Sequence, residues 1–277
     1  MRDKLYYTAG VITLVSAIAV TFWINMPARP PAPHVRVPEN TNTALIGEIY
    51  NISFTAPKNN PDNMTSYILK FAGSDIDKPF YAALLGAPDL VSENEDYYFF
   101  SGEAAEVTFD KFLHHIAFIS KKSFDSGDKP VSPLDAINIS KNFFKDKQMD
   151  LKFAEALVTK TPPDNDGYNI LFINKRNGIL DYSFPTEVRM DIYGNILGFD
   201  YFNLAYERIA VCAVMPARYA VYGLPVDFEP GTRIDLKSAE LVYYYKHSII
   251  QPAYLFTGEF VNENKEFRHF VNAAVYG

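Results

Sequence analysis

Four groups of residues have types and spacings that chemistry could use. Asp164-Asn165-Asp166-Gly167 has the alternating short oxygen ligands and following glycine that let a backbone wrap calcium. Pro162 stands where the first carboxylate belongs and Ile173 where the bidentate glutamate belongs, so the segment reads as a hairpin turn. His114 and His115 are adjacent in a strand-like run, where neighbours point to opposite faces and cannot share one metal; His34, His247 and His269 are dispersed. Cys212, the only cysteine, sits in Ala210-Val211-Cys212-Ala213-Val214 and reads as a small buried hydrophobe. Ser120-Lys121-Lys122-Ser123 sets serines beside lysines, but a lysine base must be desolvated to be neutral at pH 7, and this polar run reads as a solvated turn. There is no Gly-x-Ser-x-Gly elbow and no phosphate-cradling glycine loop. The sequence therefore assigns no catalytic, metal-ligating or cofactor-binding residue, and the expectation is a protein that is not an enzyme.

The aromatic content offers a different chemistry. The chain has 19 Tyr, 22 Phe and one Trp, and the runs Tyr97-Tyr98-Phe99-Phe100 and Tyr243-Tyr244-Tyr245 place rings on both faces of a strand. Tyr97, Tyr98, Tyr243, Tyr244 and Tyr245 form the candidate binding surface, suited to protein docking or sugar stacking because tyrosine offers large contact area at low entropic cost. The competing reading buries both faces between sheet and helix layers.

These residues must be positioned by what surrounds them. Arg2 and Lys4 precede an apolar run over residues 6–26, about 20 residues at ~1.5 Å rise, matching a ~30 Å hydrocarbon core. Residues 1–26 are expected to form a cytoplasmic tip and a retained transmembrane anchor: Ala17-Ile18-Ala19 lies too deep in the run for a cleavage site, and the flanking charges keep the N-terminus inside. Residues 27–42, with Pro27, Pro30, Pro31, Pro33 and Pro38, read as an extended stalk. Setting aside Arg2, Lys4, Arg29, Arg36 and Asp3 leaves 22 basic against 32 acidic side chains, a formal −10 that disfavours nucleic acid. One cysteine cannot make an internal disulfide, so the domain rests on its core.

Beyond the stalk the pattern is a short helix followed by strands, recurring loosely. A helix over Lys78–Leu85 precedes strands near Asp96–Ser101, Ala105–Phe109 and Phe112–Ser120, compatible with an antiparallel meander. Ser132 with Asp135 at capping-box distance and Pro133 in the first turn begins a second helix, followed by strands near Leu151–Lys160, Tyr168–Asn174 and Thr186–Ile192. Asn177-Gly178 and Tyr193-Gly194-Asn195 mark turns. A third unit opens with a helix over Pro216–Tyr222, then strands near Ile234–Tyr245, Ala253–Phe260 and Phe267–Val275. The expected class is α+β: a single N-terminal transmembrane helix, then two or three modules of short helix packed on antiparallel sheet, over residues 43–130 and 131–277, the latter divisible at 204/205.

Leu241-Val242-Tyr243-Tyr244, Gln251-Pro252-Ala253-Tyr254-Leu255-Phe256 and Phe270-Val271-Asn272-Ala273 resemble YycH/YycI-type extracytoplasmic regulators and PepSY-like modules, with a similar layout in outline around residues 132–202. The resemblance covers about half the chain. It implies paired modules carried outside the membrane by one anchor, where they restrain a sensor histidine kinase. The resulting expectation is a cell-membrane protein with its C-terminal domain extracytoplasmic, binding and regulating another envelope protein. A glycan- or peptide-binding module is the alternative, and a hydrolase with dispersed carboxylates comes third.

Overall fold

Short helices form where the sequence supplies an apolar face together with start and stop signals. The computed structural model describes residues 43–55, 60–70, 77–112, 115–123, 129–161, 167–263 and 265–276. Helix α1 (Thr43–Ile49) runs into strand β1 (Tyr50–Ile52), and β2 covers Asn63–Lys70. Helix α2 spans Lys78–Leu85 as the sequence predicts: the Asp77 carboxylate accepts from the Phe80 N–H at 3.0 Å, and Gly86 ends it at φ 89°. Strands β3 (Asp89–Glu93), β4 (Tyr97–Ser101), β5 (Ala105–Asp110) and β6 (His115–Ser120) form an antiparallel meander. Helix α3 (Pro133–Asp146) carries the anticipated Ser132–Asp135 capping box and buries Ala136, Ser140 and Phe144.

Strands β7 (Glu155–Lys160), β8 (Gly167–Arg176), β9 (Ile179–Asp191), β10 (Ile196–Phe202) and β11 (Ala205–Val214) follow. A single turn of helix, α4 (Ala217–Ala220), continues as a 3-10 turn over Val221–Gly223 and leads to β12 (Ile234–Lys246), β13 (Ile249–Phe260), β14 (Glu266–Asn272) and β15 (Ala274–Val275).

Lateral pairing decides the architecture. The fifteen strands of the described residues join one network of ladders, ordered β15-β11-β2-β13-β12-β9-β10-β6-β5-β4-β3, with β7 and β8 branching from β9, β14 from β13 and β1 from β12. Strands take 54% of the described residues and α-helix 16%. This corrects the expected α+β class of helix-on-sheet modules: the molecule is dominated by one large mixed sheet. Local pattern identified many strands individually, but β9, β12 and β13, at 12 or 13 residues, each pair with different neighbours along their length and knit the expected units together. The expected transmembrane helix also finds no counterpart, since no described helix is long and apolar enough to cross a membrane. The run over residues 6–26 that prompted it, like the stalk over 27–42, lies outside the described residues.

Two main cores flank the network. The first is built from residues 78–202: α2 and α3 cover β4, β5, β6, β8, β9 and β10 through Phe100, Phe109, Phe118, Phe144, Phe172 and Phe199. The second joins distant stretches, Ile46 from α1 and Tyr50, Met64 and Leu69 from the first strands with Ile234, Tyr243, Tyr254, Phe256 and Phe267 from the last. The boundary read at 130/131 falls inside the first core's stretch of chain, and residues 43–70 pack with the C-terminal strands. A small third core, Ile173, Leu180, Val242, Ala253 and Leu255, lies where β8 and β9 meet β12 and β13.

Candidate functional site

The β8–β9 hairpin builds the junction between the main cores. Asn177 and Gly178 both take positive φ, 51° and 81°, as a two-residue hairpin turn requires, so the Asn-Gly signal in the sequence is used directly. The ladder then breaks. Asn174 pairs with Asp181 but Phe172 pairs with Thr186, leaving Tyr182, Ser183, Phe184 and Pro185 bulged opposite Ile173 alone. Before the bulge β9 touches β12, through Asp181 and Tyr243; after it β9 pairs with β10.

Arg176 and Asp181 anchor this junction. Arg176 donates from Nε and Nη2 to Asp181 Oδ2 at 2.9 and 2.7 Å, with both side chains largely buried. Its guanidinium lies 3.8 Å from the Tyr206 ring centroid, 4.6 Å from Tyr67 and 5.9 Å from Tyr243, so β2, β11 and β12 all converge on one cation. Asn177 Nδ2 donates to the Tyr67 hydroxyl at 2.8 Å. Burial, reinforced by the Asp181 charge, pushes the Tyr206 phenol up to about 12; burial does the same for Tyr243. Both remain neutral hydrogen-bonding groups at physiological pH.

Beside this pair a cavity of about 240 Å³ opens. Phe184, Phe202, Tyr201 and Tyr206 give it aromatic walls, and Asp150, Thr186 and Asn203 supply polar ones. Phe184 is fixed by Phe202 at 5.4 Å and Tyr245 at 4.7 Å between ring centroids, and the Tyr201 hydroxyl donates to the Asp150 carbonyl at 3.2 Å. A second cavity, of about 350 Å³, lies between α2, α3 and β6 and is walled by Leu84, Leu85, Phe118, Ile139 and Phe143.

The structure does not bring the five candidate tyrosines together. Tyr97 is 42% exposed at the start of β4, while Tyr98 turns to the helix side, where the Lys78 and Lys111 ammoniums lie 5.1 and 4.5 Å from its ring centroid. On β12 alternation separates the others. Tyr243 is 1% exposed and belongs to the second core, which removes it from any surface; Tyr244 stacks on Phe270 at 4.3 Å, and Tyr245 packs on Phe184. Rings on both faces of this strand are thus used for packing, because β12 is covered on both sides.

The other sequence candidates serve local structure. Cys212 is buried, with Sγ 3.5 Å from Ser66 Oγ and 3.4 Å from the Met64 carbonyl, and burial pushes its thiol above the ordinary value. Lys121 donates to Ser101 and pairs with Glu106 at the surface. His115 Nε2 meets Asp200 Oδ1 at 2.9 Å and its ring stacks on Phe202 at 4.4 Å, but no hydroxyl or thiol joins it among the described residues. His114 and the Asp164–Asp166 stretch lie outside the described residues. Among those described, no group of three or more His, Cys, Asp or Glu is placed to hold a metal ion.

Sequence reasoning missed Arg176, Asp181, Phe184, Thr186, Tyr201 and Tyr206. The available signal was Pro185, which interrupts a strand-like run and so marks a bulge. No protein-family model matches the chain, and no curated protein matches it.

Proposed function

We propose that this is a non-enzymatic, extracytoplasmic binding protein that regulates or scaffolds another envelope protein by direct contact. The observation that carries the reading is the open rim of the lobe built on the first core, where β3 ends the strand order. All five residues of β3 are exposed, with Leu90 at 53% and Val91 at 59%, beside Tyr97 at 42% on β4. Apolar side chains on an edge strand favour a protein partner. A bulge between Leu90 and Ser92, together with Asp89 and Glu93, blunts this edge against strand addition, so recognition here would run through side chains. The apolar run and proline-rich stretch before residue 43 support an extracytoplasmic setting. The resemblance to YycH/YycI-type regulators favours the same kind of partner.

Photocrosslinking from positions 91 and 97 in intact cells tests this, with position 237, exposed on β12, as control. A discrete envelope-protein adduct at 91 and 97, absent from 237 and lost in Val91→Asp, is expected. Adducts equal at all three positions, or abundant bystanders alone, refute it.

A further inference from the structure

We infer that the cavity beside Arg176 and Asp181 is a binding site for one neutral sugar ring. This goes beyond the protein-docking reading and does not depend on it, because the cavity lies at the junction of the cores and the docking rim lies on β3 and β4.

Charge is the first argument. The buried formal charges facing the cavity are matched, Arg176 being held by Asp181, while Lys152 and Asp150, both largely exposed, pair at 3.1 Å. Lys175 also borders the cavity, but on β8 it alternates to the opposite face from Asn174 and Arg176, where Glu240 is its electrostatic neighbour. An anionic ligand would have to draw Arg176 from Asp181 and leave a buried carboxylate unpaired. A cation would have to do the reverse. A neutral ligand asks for neither.

The second argument is unspent hydrogen bonding. Thr186 is buried, at 6% exposure, and lines the cavity, yet its hydroxyl makes no hydrogen bond among the described residues. Asn203, exposed on the link between β10 and β11, also borders the cavity, and its amide makes no hydrogen bond among the described residues. Buried polar side chains are normally satisfied, so an unused hydroxyl facing a cavity marks where a ligand's donor or acceptor would sit. A hydroxyl and an amide both donate and accept, which matches ring hydroxyls.

Shape and surface complete the case. Phe184, Phe202 and Tyr206 offer apolar walls for the C–H face of a pyranose, while the polar side chains meet its edge. A volume of about 240 Å³ is below the ~300–1,000 Å³ of drug-sized sites, so the cavity suits one ring and excludes a folded oligosaccharide.

The test uses the purified full chain in sugar-free buffer, titrated separately with D-glucose, N-acetyl-D-glucosamine, D-glucuronate and a glutamate-containing tripeptide, read by saturation-transfer NMR. Saturable binding of at least one neutral sugar is expected, weaker or absent binding of glucuronate and tripeptide, and an affinity loss of ~2–10-fold in Thr186→Val and in Asn203→Ala. Thr186→Val keeps the β-branched shape; Asn203 is exposed, so its variant tests the site even if the first fails to fold. Lys237→Ala, outside the cavity, should bind as the wild type does. No saturable binding of either neutral sugar, tighter binding of glucuronate or tripeptide, or wild-type affinity in the folded variants would overturn the proposal.

Discussion

The two main cores are similar in kind but differ in how the chain supplies them. The first draws on residues 78–202 alone, with two capped helices laid on a mainly sequential sheet. The second closes only when residues 46–69 return to strands more than 160 positions later: β1 pairs in parallel with the start of β12, and the Tyr50 hydroxyl donates to the Pro225 carbonyl. The first lobe can gain contacts as each element forms, whereas the second must first close a long loop, at an entropic cost that rises with loop length. Arg176 spans the difference, since its hairpin belongs to the first lobe's sheet and its aromatic partners to the second's strands.

Core truncations should separate the lobes most sharply. Phe144→Ala and Phe256→Ala remove fully buried rings and should each cost ~3–5 kcal/mol in denaturant unfolding. In hydrogen exchange, Phe144→Ala should release protection within residues 78–202, while Phe256→Ala should release β1 and β2 as well as β12–β14. Uniform loss from either variant would show instead that the junction makes both lobes one cooperative unit. Arg176→Met comes next, at about 3 kcal/mol, because it leaves Asp181 buried without its ion-pair partner. Its exchange signature should appear in both lobes, and confinement to β8 and β9 would deny it a bridging role.

Smaller effects sharpen the contrast. Ser132→Ala removes the α3 cap and should cost ~1 kcal/mol, felt in the first lobe only. Asp200 gives a pH test: its hydrogen bond from His115 holds the carboxyl below the ordinary value of 3.8. The folded state therefore binds this proton less readily than the unfolded state, and the stabilisation is present above the ordinary carboxylate value and lost as pH falls through the lowered one. The stability gap between wild type and Asp200→Asn, measured by urea unfolding, should be constant near pH 7 and shrink below about pH 4. A gap unchanged down to pH 2 would contradict the sign.

Local signals were legible where the physics is local. The Lys78–Leu85 helix, the Ser132 capping box and the Asn177-Gly178 turn each depend on residues a few positions apart, and each appears where the sequence places it. Strands β2 and β11, among others, have no counterpart among the strands expected from the sequence. Their partners are each other and β13, and β11 alternates only weakly, with mostly exposed residues before Cys212. The cavity was illegible for the same reason, because its walls come from β8, β9, β10, β11 and the link before β7, and Thr186 and Asn203 have ordinary sequence neighbours.

By itself, then, the sequence determined the helices, their caps, the tight turns and many of the strands, since these minimise free energy over a few residues. Tertiary structure alone decided that the strands join one network, that Tyr243 is buried while Tyr97 is exposed, and that Arg176 meets three tyrosines from distant strands. Those outcomes depend on which edges pair and which faces are covered, and both are set by burying apolar surface from segments far apart in the chain.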